Sequence, residues 1–178
     1  MTVPEYEDVL TARLALIAIT PTMLRSERAG DERLGELIGC LVPANWPPEH
    51  WEPHVFDLLL RQFERHPEQV AWQRYVALPE PDGTRRLIGS VGAFWRETAP
   101  AECEIGYSIL PPFEGRGLAT EAARALIALI REDARITSVM AHTYPRLGGS
   151  VRVMERCGMV YEGPGEEVGT VRYRLRLR

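Results

Sequence analysis

A turn that contains two glycines stands directly before a helix-forming stretch in the middle of the chain. Gly115, Arg116 and Gly117 precede an apolar stripe at helical spacing, which predicts a buried helix beginning at about Gly117. The start of a helix leaves about four backbone N–H groups without partners and carries about half a positive charge. Glycine lets the oxygens of a ligand approach the main chain closely. These residues therefore favour the binding of a diphosphate at the turn.

The stretch before this turn has the pattern of an extended strand. In residues 103–110, apolar residues alternate with polar or small ones at a period of two. Pro111 and Pro112 end the strand, because proline lacks the N–H group that a neighbouring strand would bind. We therefore expect the neighbouring strand to diverge from this one close to the glycine turn.

The rest of the chain predicts a mixed order of strands and helices. The predicted strands are 11–19, 72–78, 86–96, 103–110, 136–142, 160–163 and 170–178. The predicted helices are one capped by Thr20 or Thr22, one opened by Asp31, one over 55–65, the long helix after Gly117, and a short one over 150–156. This order indicates an α/β (α+β mixed) fold: a central sheet with helices on both faces and one parallel crossover through the long helix.

Length and composition are those of an ordinary globular domain. The chain has 178 residues, so we expect residues 1–178 to form one domain. The net charge of −4 argues against a nucleic-acid partner and against an anionic membrane surface. No apolar run approaches the roughly 18 residues of a membrane span. Three widely spaced cysteines suggest neither a disulfide framework nor a thiolate zinc site, which favours a cytoplasmic location.

In the glycine turn and the stretches around it, the chain resembles the GNAT superfamily of acyl-CoA-dependent N-acyltransferases. The family signature, Gln/Arg-x-x-Gly-x-Gly/Ala, matches residues 114–119, EGRGLA. The flanking residues 104–107 and 120–122, and the block SVRVMERCGM at 150–159, are most similar to the branch that contains the RimJ/RimL ribosomal-protein acetyltransferases. The resemblance covers about 13–177. It implies a mixed, mostly antiparallel GNAT-type sheet with a splayed strand pair.

The resemblance also implies acetyl-CoA (CoA) as co-substrate, without a metal. Pantetheine would contact the main chain of Ser108, Ile109 and Leu110. The pyrophosphate would contact the main chain of Gly115, Arg116, Gly117, Leu118, Ala119 and Thr120. The implied partner is an amine acceptor, either a peptide N-terminus or a small molecule, that attacks the thioester directly. The oligomeric state is left open, with a homodimer among the alternatives.

Two residues are candidates for proton transfer. An amine must lose its proton before it attacks a thioester, and Glu104 on the splayed strand is the candidate for relaying that proton. The alternative for Glu104 is a charge on an exposed sheet face. The leaving thiolate needs only a modest donor, because a thiol has a pKa of about 8.5. The RimJ/RimL branch implies the Ser150 hydroxyl as this donor, and the alternative for Ser150 is a helix N-cap.

Three residues depart from the family pattern. Glu114 occupies the first signature position, where Gln or Arg is usual and where a carboxylate would repel a diphosphate. Leu147 stands where the branch usually has Asn, and Met154 where many GNAT enzymes have a tyrosine. The alternative function is therefore a catalytically inactive GNAT-like module that binds acyl-CoA or acts as a sensor.

A proline-rich loop carries the remaining candidate ligands. Trp46 and Trp51 form either a wall of the substrate pocket or a hydrophobic plug over the core. His50 and His54 have the spacing of a metal pair on a helix, but Pro53 interrupts it, so we expect a solvated helix start.

Arginines alternate with apolar residues along the last predicted strand, at positions 172, 174, 176 and 178. This pattern is typical of a solvated face that discourages pairing at a sheet edge. The alternative is that the arginines meet an anion.

Overall fold

The computed structural model describes residues 6–30, 32–48 and 51–178. The strands are β1 (Val9–Leu10), β2 (Ala15–Ala18), β3 (Gln73–Pro79), β4 (Arg85–Trp95), β5 (Glu102–Ile109), β6 (Ser138–Thr143), β7 (Val160–Pro164) and β8 (Val171–Arg176). The α-helices are α1 (Pro21–Ala29), α2 (Leu34–Ile38), α3 (Pro53–Arg65), α4 (Leu118–Arg131) and α5 (Gly148–Arg156). Short 3₁₀ helices occupy Pro67–Trp72 and Pro111–Phe113.

The eight strands form one sheet in the order β1-β2-β3-β4-β5-β6-β8-β7. Neighbouring strands are antiparallel except β5 and β6, which are parallel and are joined through α4. A parallel pair needs such a crossover, because the chain must return to the same end of the sheet. The predicted mixed, mostly antiparallel sheet and its single crossover through the long helix are confirmed.

Helices bury the two faces of the sheet against separate cores. The apolar stripe of α4 (Leu118, Ala122, Leu126, Ile130) and Met154 of α5 pack against the β4 and β5 side chains Val91 and Ile105. On the opposite face, α1, α2 and α3 pack against β2, β3 and the start of β4 through Leu24, Ile38, Leu59, Phe63, Tyr75 and Leu87. The same face continues over β5, β6 and β8, where it carries the polar side chains of Glu104, His142 and Arg174.

The N-terminal elements differ from their predicted limits. The predicted strand 11–19 begins only at Ala15, because Thr11 and Leu14 close a turn in which the Thr11 N–H donates to the Leu14 carbonyl at 2.9 Å. The short β1 before this turn was not predicted. Thr20 does cap α1, since its hydroxyl accepts from the Met23 N–H at 3.3 Å. Asp31, the predicted start of the next helix, lies outside the described residues.

The arginine-bearing strand β8 lies between β6 and β7, so the prediction of a sheet-edge strand is wrong. Two of its arginines meet carboxylates of the protein itself. Arg172 lies 3.3 Å from Glu162, and Arg174 bridges Glu162, at 2.8 Å, and Glu102. The sequence pattern showed the alternation correctly, but it could not show that β7 pairs outside β8.

Candidate functional site

A V-shaped cleft opens between β5 and β6. The two strands pair over three positions, of which Glu104↔Met140 is the last. Beyond it, β5 stays with β4 as far as Ile109, while β6 stays with β8 as far as Thr143. The strands therefore diverge from Glu104 onward, as predicted, and the cleft opens towards the glycine turn.

The antiparallel ladder decides which main-chain groups of β5 face this cleft. Arg96 N–H donates to Glu102 O, and Leu110 N–H donates to Ile88 O at 2.8 Å. Even-numbered residues of β5 therefore direct their N–H and C=O groups to β4, and odd-numbered ones direct theirs to the β6 side. Of the three residues expected to contact pantetheine, Ile109 presents its main chain to the cleft, and Tyr107 joins it there. The expectation for Ser108 and Leu110 does not hold, because their main-chain groups face β4.

The glycine turn has the backbone that its sequence requires. Gly115 and Gly117 have φ angles of +73° and +77°, which side-chain-bearing residues rarely adopt. Gly117 is the N-cap of α4, which agrees with the predicted helix start at about this residue. The first helical bond runs from the Glu121 N–H to the Gly117 carbonyl at 3.1 Å. The N–H groups of the three residues before Glu121 therefore precede the helical hydrogen bonds and point out of the N-terminus, where an anion can bind them.

The loop between β1 and β2 holds this turn in place, which the sequence analysis missed. Arg13 Nη1 donates to the Arg116 carbonyl at 2.9 Å, and Arg13 Nε donates to Glu121 Oε2 at 2.7 Å. Glu121 Oε1 also accepts from the Thr11 hydroxyl at 2.6 Å and from the Arg13 N–H at 2.8 Å. Burial alone raises the pKa of Glu121, but the hydrogen bonds from Thr11 and Arg13 outweigh it and hold the pKa below its ordinary value.

The charged side chains of the turn itself are exposed. Glu114 and Arg116 both stand in solvent on the turn that leads to α4. Water screens an exposed carboxylate strongly, so the repulsion expected between Glu114 and a diphosphate is reduced. The exposed Arg116 adds a positive charge to the same turn.

Glu104 lies at the vertex of the V. Its Oε1 is 2.8 Å from His142 Nδ1, and its Oε2 is 3.6 Å from Arg96 Nη1. The side chain is 37% exposed, so it is held by neighbours and still open to solvent. Glu104 thus lies on the open sheet face and also where the strands part, and its role in proton transfer stays a prediction.

Ser150 is not a helix cap. Helix α5 begins at Gly148, its N-cap is Leu147, and no side chain bonds the cap. The N-cap alternative for Ser150 is therefore wrong, because the helix starts two residues earlier than predicted. The Ser150 hydroxyl lies instead 3.1 Å from the Tyr107 hydroxyl, which donates to the Ser150 carbonyl at 2.9 Å.

Tyr107 is a site residue that the sequence pattern concealed. Its place in the apolar alternation of β5 indicated a core side chain, and the ring is indeed half-buried against the α4 core. Burial raises the pKa of Tyr107 to about 12, and the hydrogen bond to Ser150 offsets only part of this effect. The phenol therefore keeps its proton at neutral pH and donates it to the Ser150 carbonyl, which leaves its oxygen free to accept from the Ser150 hydroxyl.

The two other departures from the family pattern differ in their surroundings. Met154 is 1% exposed and packs in the α4 core, so its position is filled by an apolar side chain. Leu147 is 45% exposed at the start of α5. An asparagine amide at Leu147 would face open space, and leucine offers no hydrogen bond there.

The tryptophans have the contacts of a hydrophobic plug. Trp46 lies 5.9 Å from both Trp51 and Tyr75 between ring centroids, and Trp51 lies 5.4 Å from Phe56. The Trp46 indole N–H donates to Glu27 Oε1 at 2.6 Å. Burial raises the pKa of Glu27, and the hydrogen bonds from Tyr75 and Trp46 offset only part of this effect. The rings contact one another closely and seal the second core.

The structure places the predicted histidine pair only in part. Pro53 is the first residue of α3, and His54 lies 3.3 Å from Glu52 with both side chains exposed. His50 lies outside the described residues. Within 6–30, 32–48 and 51–178, no three His, Cys, Asp or Glu side chains are grouped closely enough to hold a metal ion. Over those residues no helix combines the length and the apolar character that crossing a membrane requires.

Solved structures share this fold over nearly the whole chain. A GnaT-family acetyltransferase from Bordetella pertussis superposes with a TM-score of 0.66 at 20% identity, covering 96% of this chain and 99% of the other. An acetyltransferase from Agrobacterium tumefaciens gives 0.63 at 23% identity, with 98% and 95% coverage. RimL, a ribosomal L7/L12 alpha-N-protein acetyltransferase in complex with coenzyme A, gives 0.62 at 14% identity, with 98% and 97% coverage. At these identities the likeness shows the fold alone.

Sequence comparison adds the family. The probable N-acetyltransferase YjcK of Bacillus subtilis is 33% identical over 79 residues, which are 44% of this chain and 44% of that protein. The match thus spans less than half of that relative. A model of the GNAT acetyltransferase domain matches residues 28–160, which include the cleft, the glycine turn and α5. The chain therefore belongs to the GNAT family of acetyltransferases.

Proposed function

We propose that this chain is an acetyl-CoA-dependent N-acetyltransferase of the RimJ/RimL-like branch, acting in the cytoplasm as a single domain over residues 1–178. It transfers the acetyl group to a primary amine, either a protein N-terminus or a small amine, by direct attack on the thioester. The observation that carries the proposal is the divergence of β5 and β6 from Glu104 onward. The resulting cleft opens towards the unpaired N–H groups at the N-terminus of α4.

The cofactor would lie along the cleft from the glycine turn to the vertex. Its pyrophosphate would accept from the main-chain N–H groups of residues 115–120, where two left-handed glycines leave room. A Cβ atom added to Gly115 would meet no other atom within 4 Å, which is the space a phosphate oxygen needs. The pantetheine amides would pair with the cleft-facing main chain of β5 at Tyr107 and Ile109, and the acetyl group would reach Glu104.

The two candidate proton-transfer groups would act from opposite faces of the sheet. Glu104 lies on the open face and would take the proton of the acceptor amine as it attacks the carbonyl carbon. The C–N bond forms and the C–S bond breaks, which leaves CoA as a thiolate. Ser150, on the α4 face, would pass its proton to the sulfur and regain one from water, and its hydroxyl lies 3.1 Å from the Tyr107 hydroxyl. Neither step calls for a metal.

The competing proposal is a module that binds acyl-CoA without turning it over. Glu114 and Leu147 support it, because the first weakens the attraction for a diphosphate and the second removes an amide. The exposure of Glu114 favours the enzyme, since a screened carboxylate repels weakly. The acceptor stays open, because similar folds include both a ribosomal-protein acetyltransferase and a spermidine N-acetyltransferase chimera.

Isothermal titration of acetyl-CoA and of CoA into the purified protein tests the cofactor site. We expect micromolar binding that Arg116→Glu weakens about tenfold, by adding a second carboxylate beside the diphosphate. The matched control is Arg61→Glu, which makes the same charge change on exposed α3 across the sheet. Equal effects of both variants on the Kd, or no binding of acetyl-CoA to the folded wild type, would refute the proposed cofactor site.

Thiol release from acetyl-CoA, measured with peptide N-terminal amines and with small amines, then separates the two proposals. Turnover with either class establishes the enzyme and names the acceptor class. Tight binding of acetyl-CoA with no turnover across both classes supports the binding module.

A further inference from the structure

The open sheet face carries a fixed set of polar contacts at the vertex of the cleft. His142 follows Met140 by two residues on β6, so its side chain lies on the same face as Glu104, just past the last strand pair. His142 Nδ1 is 2.8 Å from Glu104 Oε1, and the His142 side chain is 12% exposed. The imidazole therefore reaches Glu104 from the opposite side of the cleft.

This contact fixes the tautomer of the ring. A carboxylate oxygen only accepts hydrogen bonds, so the proton of the pair is on His142 Nδ1. His142 Nε2 is buried and has no hydrogen-bond partner within the described part of the chain. A proton on that nitrogen would be a buried donor without an acceptor, which is unfavourable. Both observations assign the proton to Nδ1 and leave Nε2 bare.

Neighbouring segments hold the pair from both sides. Arg96 Nη1 lies 3.6 Å from Glu104 Oε2, and Arg96 Nη2 also binds Glu166 of the β7–β8 connection. In the same connection, a Cβ atom added to Gly165 would lie 2.8 Å from His142 Cδ2, so the backbone packs directly on the ring. The ring cannot swing away from Glu104 without moving this connection.

We propose that His142 is a positioning residue for the acetyl transfer. Its Nδ1–H holds the Glu104 carboxylate at the vertex. Oε2 lies 3.6 Å from Arg96 Nη1, beyond hydrogen-bond distance, and is the oxygen that would take the proton of the attacking amine. This inference rests on the proposed function, because it assigns a partner to the proposed base. It predicts that a side chain with an N–H at the place of Nδ1 can replace the imidazole.

Two substitutions at His142 separate positioning from other roles. Asparagine places its amide N–H near the position of Nδ1, whereas leucine fills a similar volume without a donor. For a positioning residue we expect His142→Leu to lower kcat by about tenfold to a hundredfold with little change in KM, and His142→Asn to stay within about fivefold of wild type. The matched control is His54→Leu, an exposed histidine of α3, which should leave both constants unchanged.

Other kinetic outcomes would overturn the inference. If asparagine is as damaging as leucine, the ring itself is needed, through Nε2, and His142 is not a positioning residue. If neither variant lowers kcat while the wild type turns over, Glu104 needs no support from His142. If the wild type is inactive towards every amine, the proposed function itself is refuted.

A spectroscopic measurement tests the contact whatever the activity of the protein. Two-bond ¹⁵N–¹H correlation spectra of the wild type should show His142 protonated on Nδ1 and bare on Nε2. Glu104→Ala, which removes the acceptor, should redistribute the proton between the two nitrogens. A wild-type ring protonated on Nε2, or a Glu104→Ala spectrum with the same tautomer, would contradict the inference.

Discussion

The contacts of Glu121 predict that one carboxylate links the stability of the protein to its affinity for acetyl-CoA. Glu121→Ala removes the acceptor for the Thr11 hydroxyl, the Arg13 N–H and the Arg13 guanidinium. Hydrogen bonds to a charged group contribute about 1.5–3 kcal/mol each when buried. Arg13 is 46% exposed, so water replaces part of what is lost. We expect the free energy of unfolding to fall by about 1–2 kcal/mol.

The same substitution should weaken cofactor binding. Without Glu121, Arg13 loses the partner that aligns it with the Arg116 carbonyl, and the glycine turn must then be ordered by the ligand. We expect the Kd for acetyl-CoA to rise about threefold to tenfold, which corresponds to about 1 kcal/mol of ordering. Thermal unfolding should show a Tm lower by about 2–8 °C for a chain of this size. Titration calorimetry measures the change in affinity.

The pH dependence of the free energy of unfolding tests the role of the Glu121 carboxylate independently. Because the folded-state pKa of Glu121 lies below its ordinary value, the carboxylate stabilises the fold above the unfolded pKa of about 4.3. That contribution disappears as the pH falls through the lower, folded-state pKa. The stability gap between wild type and Glu121→Ala should therefore be full at pH 6–7 and close in acid.

A matched control is available at the other end of the same helix. Glu132 is an exposed carboxylate at the C-terminal end of α4, and Glu132→Ala removes the same charge far from the turn. If Glu132→Ala and Glu121→Ala lower stability and affinity equally, the network around Glu121 has no special role. A stability gap that widens in acid would refute the electrostatic argument itself.

Three further substitutions test the site. Glu114→Gln should tighten CoA binding about twofold to fivefold by removing a screened repulsion, with the gain lost in titrations at high salt; a salt-independent gain would point to a change of shape. Gly117→Ala should lower stability by about 1 kcal/mol in urea unfolding, because alanine is strained at φ +77°, and should weaken CoA binding; an unchanged protein would mean that the turn has another conformation. Tyr107→Phe should lower kcat with little change in KM, because it removes the hydroxyl that contacts Ser150; an unchanged kcat would mean that Tyr107 only packs.

The sequence alone predicted the parts of the fold that local patterns encode. The alternation in 103–110, the proline pair after it and the apolar stripe after Gly117 located β5, the end of its pairing and α4. The order of these elements, with the resemblance, predicted a splayed pair in a mixed sheet. Each prediction rests on residues close together in the chain, where side-chain spacing determines the local structure.

What the sequence could not predict depends on contacts between distant residues. Arg13 and Glu121 are far apart in the chain, and no sequence motif links the two residues. Strand β8 carries the alternation of an edge strand but lies inside the sheet, because β7 pairs outside it, and Glu162 and Glu102 pair with Arg174 there. Ser150 has the sequence of an N-cap, yet two glycines before it continue the helix and leave its hydroxyl to Tyr107.

The divergence of β5 from β6 explains why one strand can contribute to every part of the site. Main-chain groups of its odd-numbered residues point into the gap, where a missing neighbour would otherwise leave them unpaired. Side chains of the same residues, such as Tyr107, point to the α4 face, and those of even residues, such as Glu104, point to the open face. A thioester lying in the gap would thus meet a proton acceptor from one face and a proton donor from the other. Moving the register of β5 by one residue would exchange these faces, which is why we consider the ladder between β4 and β5 as important to the proposed chemistry as Glu104 itself.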